Sequence, residues 1–229
     1  MTRTVMFWVA VAQLAGVPAG EALLKRVEAA MESVRDYTVT LDITADLEQA
    51  SIPPMQAKMY FKQPDKVHVE SQGFALLPRE ALGFSPSRLL ERFRVESVAS
   101  VTVEGRKLYR LQLTPRDERA RVRTTWLEIS PEHWTIERCE LSFADDRSVT
   151  VGFKYDQVGS VWLPSEMSLS FASSPRTTHE SSPVDDQKVI QAGRGALRKG
   201  TILIRYSGYQ LNTGLPDSVF TSSSAGAPR

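Results

Sequence analysis

The chain has 229 residues, of which 24% are charged and 41% hydrophobic, a balance that excludes an intrinsically disordered protein. Its formal net charge of +1 provides no basic field of the kind that indicates a nucleic-acid partner. The single cysteine, Cys139, excludes an intrachain disulfide.

Residues 1–19 have the pattern of a secretory signal peptide. Arg3 supplies the positive charge, and the apolar run over residues 5–17 is shorter than the ~20 residues that span a bilayer. Small residues precede a cleavage site after Ala19, and no cysteine lies near it to carry a lipid anchor. A membrane anchor or a buried N-terminal helix is the alternative. We therefore predict one mature domain over residues 20–220 and a disordered tail over residues 221–229.

The first elements of the mature chain combine a helix with one-sided strands. Residues 21–35 carry apolar side chains at helical spacing, with charged residues on the other face, and predict an amphipathic helix. Residues 37–49 alternate apolar and polar side chains and predict a strand with one buried face. A turn over residues 51–54 should lead into a hairpin over residues 55–70 with its corner at residues 63–66.

Residues 73–93 interrupt the strand pattern with apolar side chains that follow no period. Ser85 and Pro86 suit the start of a short helix, whose apolar side would contain Leu89, Leu90 and Phe93. Such a segment is typical of a cap over a hydrophobic opening, and a loop packed into the core is an equal alternative.

From residue 95 onward, turn signals recur every 8–12 residues and predict an antiparallel meander. The predicted strands cover residues 95–104, 108–114, 122–129, 135–143, 149–158 and 162–171, with a last strand at residues 201–211. Between them, residues 173–200 are rich in Ser, Pro, Gly, Lys and Arg and predict a long mobile loop.

No motif in the chain indicates catalysis or a metal site. His68, His133 and His179 share no metal-ligand spacing, and we expect His68 and His179 to be solvated. Cys139 is expected to be a buried, inert thiol. The sequence therefore favours binding over catalysis and predicts neither a cofactor nor a metal.

A methionine-containing apolar strand face, with Met55 and Met59, lies beside the predicted helix in the chain. Methionine adapts to guests of different shape, so a concave face of this kind would suit an acyl chain. An ordinary filled core is the alternative.

Several segments together resemble the LolA-like carriers of the bacterial periplasm, which include the outer-membrane lipoprotein carrier and its lipoprotein-sorting relatives. The similar segments, in the same order, are residues 35–38, 58–67, 109–115, 126–130, 136–141, 204–212 and 214–220. The resemblance implies a mainly β fold with some helix, a curved half-open antiparallel β-barrel whose concave apolar face is covered by helices.

The resemblance also implies a function without enzymatic activity. The protein would be a soluble periplasmic carrier or chaperone, which binds acyl chains of lipoproteins or lipids and moves them between membranes during outer-membrane biogenesis. The implied groove residues are Val39, Leu41, Ile43, Met55, Met59, Phe61, Val67 and Val69. The implied lid residues are Phe74, Leu77, Leu82, Phe84, Leu89, Leu90 and Phe93.

Two positions depart from the family pattern. Where the lipoprotein carrier has an arginine that bonds the lid, this chain has Gln63, whose neutral amide lacks the charged fork of arginine. Residues 73–84 replace the usual Asp-Gly and aromatic strand. We predict a monomer with lipid or lipoprotein acyl chains as partners, and an inner-membrane exporter and an outer-membrane acceptor as further candidates. A periplasmic sensor or protein-interaction module with the same fold is the alternative.

Overall fold

The computed structural model describes residues 19–48, 50–70, 86–173 and 199–221. These residues form ten antiparallel strands and three short helices. The helices are α1 (Gly20–Ala30), α2 (Pro86–Arg92) and α3 (Ser218–Thr221). The strands are β1 (Asp36–Leu47), β2 (Ala50–Lys62), β3 (Lys66–Glu70), β4 (Phe93–Val103), β5 (Arg106–Pro115), β6 (Val122–Ser130), β7 (Thr135–Phe143), β8 (Arg147–Val158), β9 (Val161–Ser173) and β10 (Lys199–Leu211).

The N-terminal helix is shorter than the sequence pattern predicts. It ends at Ala30 instead of continuing to residue 35, and a turn follows. The side-chain amide of Gln63 donates to the carbonyl of Met31 at 3.0 Å, and that of Asn212 donates to Ser33 at 3.0 Å. These two bonds hold the residues that follow the helix, where the chain must turn to enter β1.

The predicted turn over residues 51–54 is wrong, because β2 already begins at Ala50 and pairs with β1. Pro53 and Pro54 lie where the β1–β2 register shifts, between Ile43 and Ala45. A proline has no N–H to give to a neighbouring strand, so an irregularity in the ladder is the place in a strand that tolerates it. The predicted corner at residues 63–66 is confirmed, since Lys62 pairs with Lys66.

The ten strands form one open sheet in the order β3-β2-β1-β10-β9-β8-β7-β6-β5-β4. Among the described residues, β3 and β4 are the edges, so the sheet is not closed into a barrel. The strand β10 joins the N-terminal strands to the meander that precedes it in the chain. The predicted mainly β, half-open architecture is confirmed in this form.

The sheet curves around α1. Eight strand spacings of about 4.8 Å separate β2 from β4, which would be about 38 Å in a flat sheet. The 11 residues of α1 extend over only about 16 Å. Yet Gly20 packs so closely on β4 that a Cβ there would collide with Val95, and the turn after α1 is bonded by Gln63, directly after β2. Both sides of the sheet therefore bend towards one helix.

The hydrophobic core lies between α1 and the concave face of this sheet. Leu23 and Leu24 of the helix are fully buried, as are Leu111, Leu127 and Met167 of the strands. The predicted signal peptide except Ala19, most of the predicted loop over residues 173–200 and the predicted tail except Thr221 lie outside the described residues. Thr221 is the last residue of α3 and not part of a disordered tail as predicted. The described ends of that loop region, Ser173 and Lys199, belong to β9 and β10.

Candidate functional site

The predicted groove residues all lie on the core side of the sheet. Four of them are closed off by the protein's own side chains, with exposed fractions of 0–2%, namely Val39, Leu41, Ile43 and Met59. The other four are partly buried and pack against the same core, namely Met55, Phe61, Val67 and Val69. Their contact with a ligand stays a prediction.

The predicted lid is described only at its C-terminal end. Leu89, Leu90 and Phe93 are partly buried and pack against the core. Leu89 and Leu90 lie on α2, which contacts α1, whereas Phe93 is not on the helix as predicted, because the chain already enters β4 there. The remaining predicted lid residues, Phe74, Leu77, Leu82 and Phe84, lie outside the described residues.

An open cavity of about 360 Å³ lies beside this packed region, at the C-terminal end of α1. Val27, Ala30 and Met31 form its helical side. Across from the helix, the wall is formed by the first residues of β1 and β7, the β8–β9 hairpin and β10. Of the predicted groove residues, the lining contains Phe61. The remaining lining residues are Tyr37, Glu132, His133, Trp134, Thr135, Ile136, Phe153, Tyr155, Ser160, Val161, Trp162, Pro164 and Tyr206.

Aromatic rings dominate the wall of this cavity and are held by one another. The ring of Tyr37 stacks on Phe61, with 4.9 Å between centroids, and meets Tyr209 edge-on at 5.4 Å. Tyr206 stacks on Tyr209 at 6.4 Å, and Phe153 lies 6.2 Å from Tyr155. Such contacts fix the orientation of the rings, so the cavity is largely pre-formed.

Hydrogen bonds from tyrosine hydroxyls fix the same rings further. The hydroxyl of Tyr155 donates to the carbonyl of Ile136 at 2.7 Å, and that of Tyr206 lies 3.8 Å from the sulfur of Met167. Burial raises the pKa of Tyr37, Tyr155 and Tyr206 far above the usual range, so these phenols stay neutral. The wall therefore carries no tyrosinate charge.

The mouth of the cavity is more polar. His133 stacks on Trp162 at 3.8 Å, and its Nε2 lies 3.7 Å from the carboxylate of Glu132, whose side chain is 75% exposed. Trp134 has a φ of 55°, a left-handed conformation that is rare for a bulky residue. This conformation turns its ring onto Tyr109, at 6.4 Å, and under the guanidinium of Arg26, at 4.7 Å.

A hydrogen-bonded clamp holds the chain behind the cavity. The buried carboxylate of Asp36 accepts from the backbone N–H groups of Thr213 and Gly214, at 2.8 and 3.1 Å. The side-chain amide of Asn212 bonds two residues of the α1–β1 connection. Its oxygen accepts from the N–H of Arg35 at 2.7 Å, and its nitrogen donates to the carbonyl of Ser33 at 3.0 Å. The clamp positions Met31 and Tyr37, which line the cavity on either side of this connection.

Sequence reasoning missed most of this cavity. The rings of Trp134, Trp162 and Tyr206 come from three separate turns and strands, and no spacing in the sequence brings them together. One sequence signal for the cavity was available. Alternation in β8 places Phe153 and Tyr155 on the same side of the strand as the buried Val151.

The described residues contain no group of three or more side chains that could hold a metal ion. Cys139 is buried as predicted, and burial raises the pKa of its thiol to about 12. His68 is not solvated as expected, since its side chain is only 13% exposed beside Tyr60 and Glu70. None of the helices in the described ranges is long and apolar enough to cross a membrane.

Comparison with known proteins identifies the fold. A scan with family models and a search of curated protein sequences both find no match. Among solved structures, a DUF1329 family protein from Desulfovibrio piger superposes with a TM-score of 0.61 at 12% identity, covering 88% of this chain and 95% of that one. A putative outer membrane lipoprotein-sorting protein domain from Vibrio parahaemolyticus gives 0.60 at 15% identity, covering 88% and 96%. A LolA superfamily protein from Nitrosomonas europaea gives 0.54 at 10% identity, covering 87% and 97%.

The chain is thus a protein with one open, curved antiparallel sheet, a helix across its concave face and an aromatic-lined cavity beside that helix. The solved structures that match this architecture over most of their length include a LolA superfamily protein. The fold is the LolA-like fold, as the sequence resemblance predicts.

Proposed function

We propose that this protein binds the apolar part of a lipid, or of a lipid-modified protein, in the aromatic-lined cavity and carries it through water between membranes. The observation that supports the proposal is the cavity itself, which is open on the concave, core-lined side of a LolA-like sheet. A concave, mostly apolar and pre-formed site is the usual form of a small-ligand site.

The size of the cavity favours a modest cargo. Ligand cavities range over about 300–1,000 Å³, and a volume of about 360 Å³ lies at the lower end of that range. Each methylene group that leaves water contributes about 0.8 kcal/mol, so even a short apolar segment binds measurably. We therefore favour a single acyl chain or a free lipid over a multiply acylated protein as cargo.

The proposal includes a periplasmic location and a role without catalysis. The predicted signal peptide and the name of the Vibrio protein, an outer membrane lipoprotein-sorting protein, support the location. Binding is favoured over chemistry because the cavity wall is rich in aromatic rings, and the hydroxyls of Tyr155 and Tyr206 are engaged in structural contacts.

Filling the cavity tests the proposal. Ala30 lines it, whereas the neighbouring Ala29 is exposed on the same helix. Ala30→Trp should place an indole in the cavity and weaken binding of a fluorescent acyl probe to the full chain by at least about tenfold, a loss of ~1.4 kcal/mol. Ala29→Trp adds the same side chain outside the cavity and should leave binding unchanged.

Thermal melts of both variants show whether the fold is retained. The absence of saturable probe binding to the unmodified protein would refute the proposal, and equal binding by both variants would place the ligand elsewhere. Lipid that copurifies with the unmodified protein and is absent from Ala30→Trp would support it.

A further inference from the structure

The wall of the cavity is rich in aromatic rings. Seven aromatic side chains line it, namely Tyr37, Phe61, Trp134, Phe153, Tyr155, Trp162 and Tyr206. The face of an aromatic ring carries negative electrostatic potential and attracts a cation placed over it. An aliphatic wall of the same shape would hold an acyl chain equally well without this property.

A carboxylate in the lining adds negative charge, and the imidazole of His133 lies 3.7 Å from it. Glu132 is the acidic residue of the lining, and neither lysine nor arginine is among the described lining residues. The chain itself already uses one of these rings in this way, because the guanidinium of Arg26 lies 4.7 Å from the ring centre of Trp134. The lining therefore combines aromatic rings with a carboxylate, and this combination favours a positive guest.

Two hydroxyls of the wall are already engaged, that of Tyr155 with the carbonyl of Ile136 and that of Tyr206 with the sulfur of Met167. An anion that took a hydrogen bond from either hydroxyl would displace one of these contacts, whereas a quaternary ammonium group needs no hydrogen-bond donor. Such a group meets the rings with its methyl surface and the carboxylate with its charge.

We propose that the cavity selects an amphiphile that carries a positively charged ammonium group, with that group against the rings and the carboxylate of Glu132. This inference rests on the proposed function, since it names the class of ligand that the same cavity takes. The ammonium group could belong to a lipid headgroup or to a small soluble cation, and the choice of probes separates these sources.

The test compares probes with one chain and opposite charges. Dodecyltrimethylammonium and dodecyl sulfate, each below its micellar concentration, are titrated calorimetrically into the full protein, and choline is titrated as the headgroup alone. We expect the cationic amphiphile to bind about tenfold more tightly than dodecyl sulfate, within the range of desolvated cation–π contacts. Choline should bind more weakly than the amphiphile if the natural ligand is a lipid.

Two variants assign the preference to named groups. Glu132→Gln removes the charge and Trp162→Leu removes a ring while keeping an apolar side chain, and each should reduce the cation-to-anion affinity ratio by about threefold. Glu118→Gln alters an exposed carboxylate outside the lining and should not change the ratio. Circular dichroism spectra show whether each variant is folded.

The outcomes separate this inference from the proposed function. Equal or tighter binding of dodecyl sulfate would overturn the charge preference and leave apolar binding supported. An affinity ratio unaffected by both variants would also overturn it. If neither amphiphile binds, both proposals fail, and if choline binds as tightly as the amphiphile, the charge preference holds while the lipid-carrier function is refuted.

Discussion

Replacing Met59 by glutamate distinguishes a closed core from an open lipid groove. The side chain of Met59 on β2 is fully buried. Met59 is paired with Val39 of β1 on one side and with Val69 of β3 on the other. It does not line the cavity. A carboxyl group introduced here would have no room for water and would fold in its protonated form.

The loss of stability in Met59→Glu follows mainly from that protonation. A glutamate in the unfolded chain has a pKa of about 4.3, so holding it protonated at pH 7 costs about 3.7 kcal/mol, at ~1.36 kcal/mol per pH unit. Loss of the buried methionine adds about 2 kcal/mol. We expect Met59→Glu to lower the free energy of unfolding by about 5–6 kcal/mol at pH 7, comparable with the ~5–15 kcal/mol total of a domain.

The sign of the pH dependence is specific to burial. The folded variant binds one more proton than the unfolded chain above pH 4.3, so its stability falls as pH rises. At pH 5 the protonation cost is only about 1 kcal/mol, so Met59→Glu should recover almost 3 kcal/mol relative to pH 7. Met59→Gln has the same shape without a charge and should show no such recovery.

Urea denaturation of the full chain at pH 5 and pH 7 measures these differences. Met55→Glu is a control on the same strand, because Met55 is only partly buried and its substituted side chain can reach water. The reasoning is refuted if Met59→Glu is within about 1 kcal/mol of the unmodified protein at both pH values. Loss of acyl-probe binding at retained stability would then place Met59 in an open groove.

Three further measurements test other parts of the structure. Asp36→Ala should cost about 2 kcal/mol in urea denaturation, since backbone donors lose a charged acceptor, while Asp42→Ala on the exposed face of β1 should cost less than about 0.5 kcal/mol. Cys139, whose thiol pKa is raised to about 12 by burial, should resist a thiol reagent at pH 8 and react once urea unfolds the chain; rapid native labelling would contradict its burial. Hydrogen bonds from Lys62 and Lys66 lower the pKa of Asp217 to about 2, so these two ion pairs are complete above the usual carboxyl pKa and are lost as pH falls through 2. The NMR titration midpoint of that carboxyl should rise in Lys62→Ala, and an ordinary midpoint in the unmodified protein would argue against the contact.

The strands were predictable because each carries its own period. Residues 135–143 were predicted as one strand, and β7 has the same bounds. Errors occurred where distant contacts decide the local structure. The helix α1 stops at Ala30 because side chains from residues 63 and 212 bond the turn after it, and no local pattern contains that information.

The site was less predictable than the fold for a related reason. Alternation identified the inward side chains, but it does not tell a filled region from an empty one. Met59 and Phe61 are neighbours on one face of β2, yet the first is enclosed by core side chains and the second faces the cavity. That difference depends on where α1 ends above them, which is a property of the assembled sheet.

The position of β10 has a consequence for how the chain reaches its native state. This strand lies inside the sheet although it is the last of the described strands in chain order, and the contact between Thr38 and Gln210 spans 172 residues. Until it is made, β1 and β9 each expose a long unpaired edge. The ten-stranded sheet of the described residues therefore cannot be completed until β10 has been made.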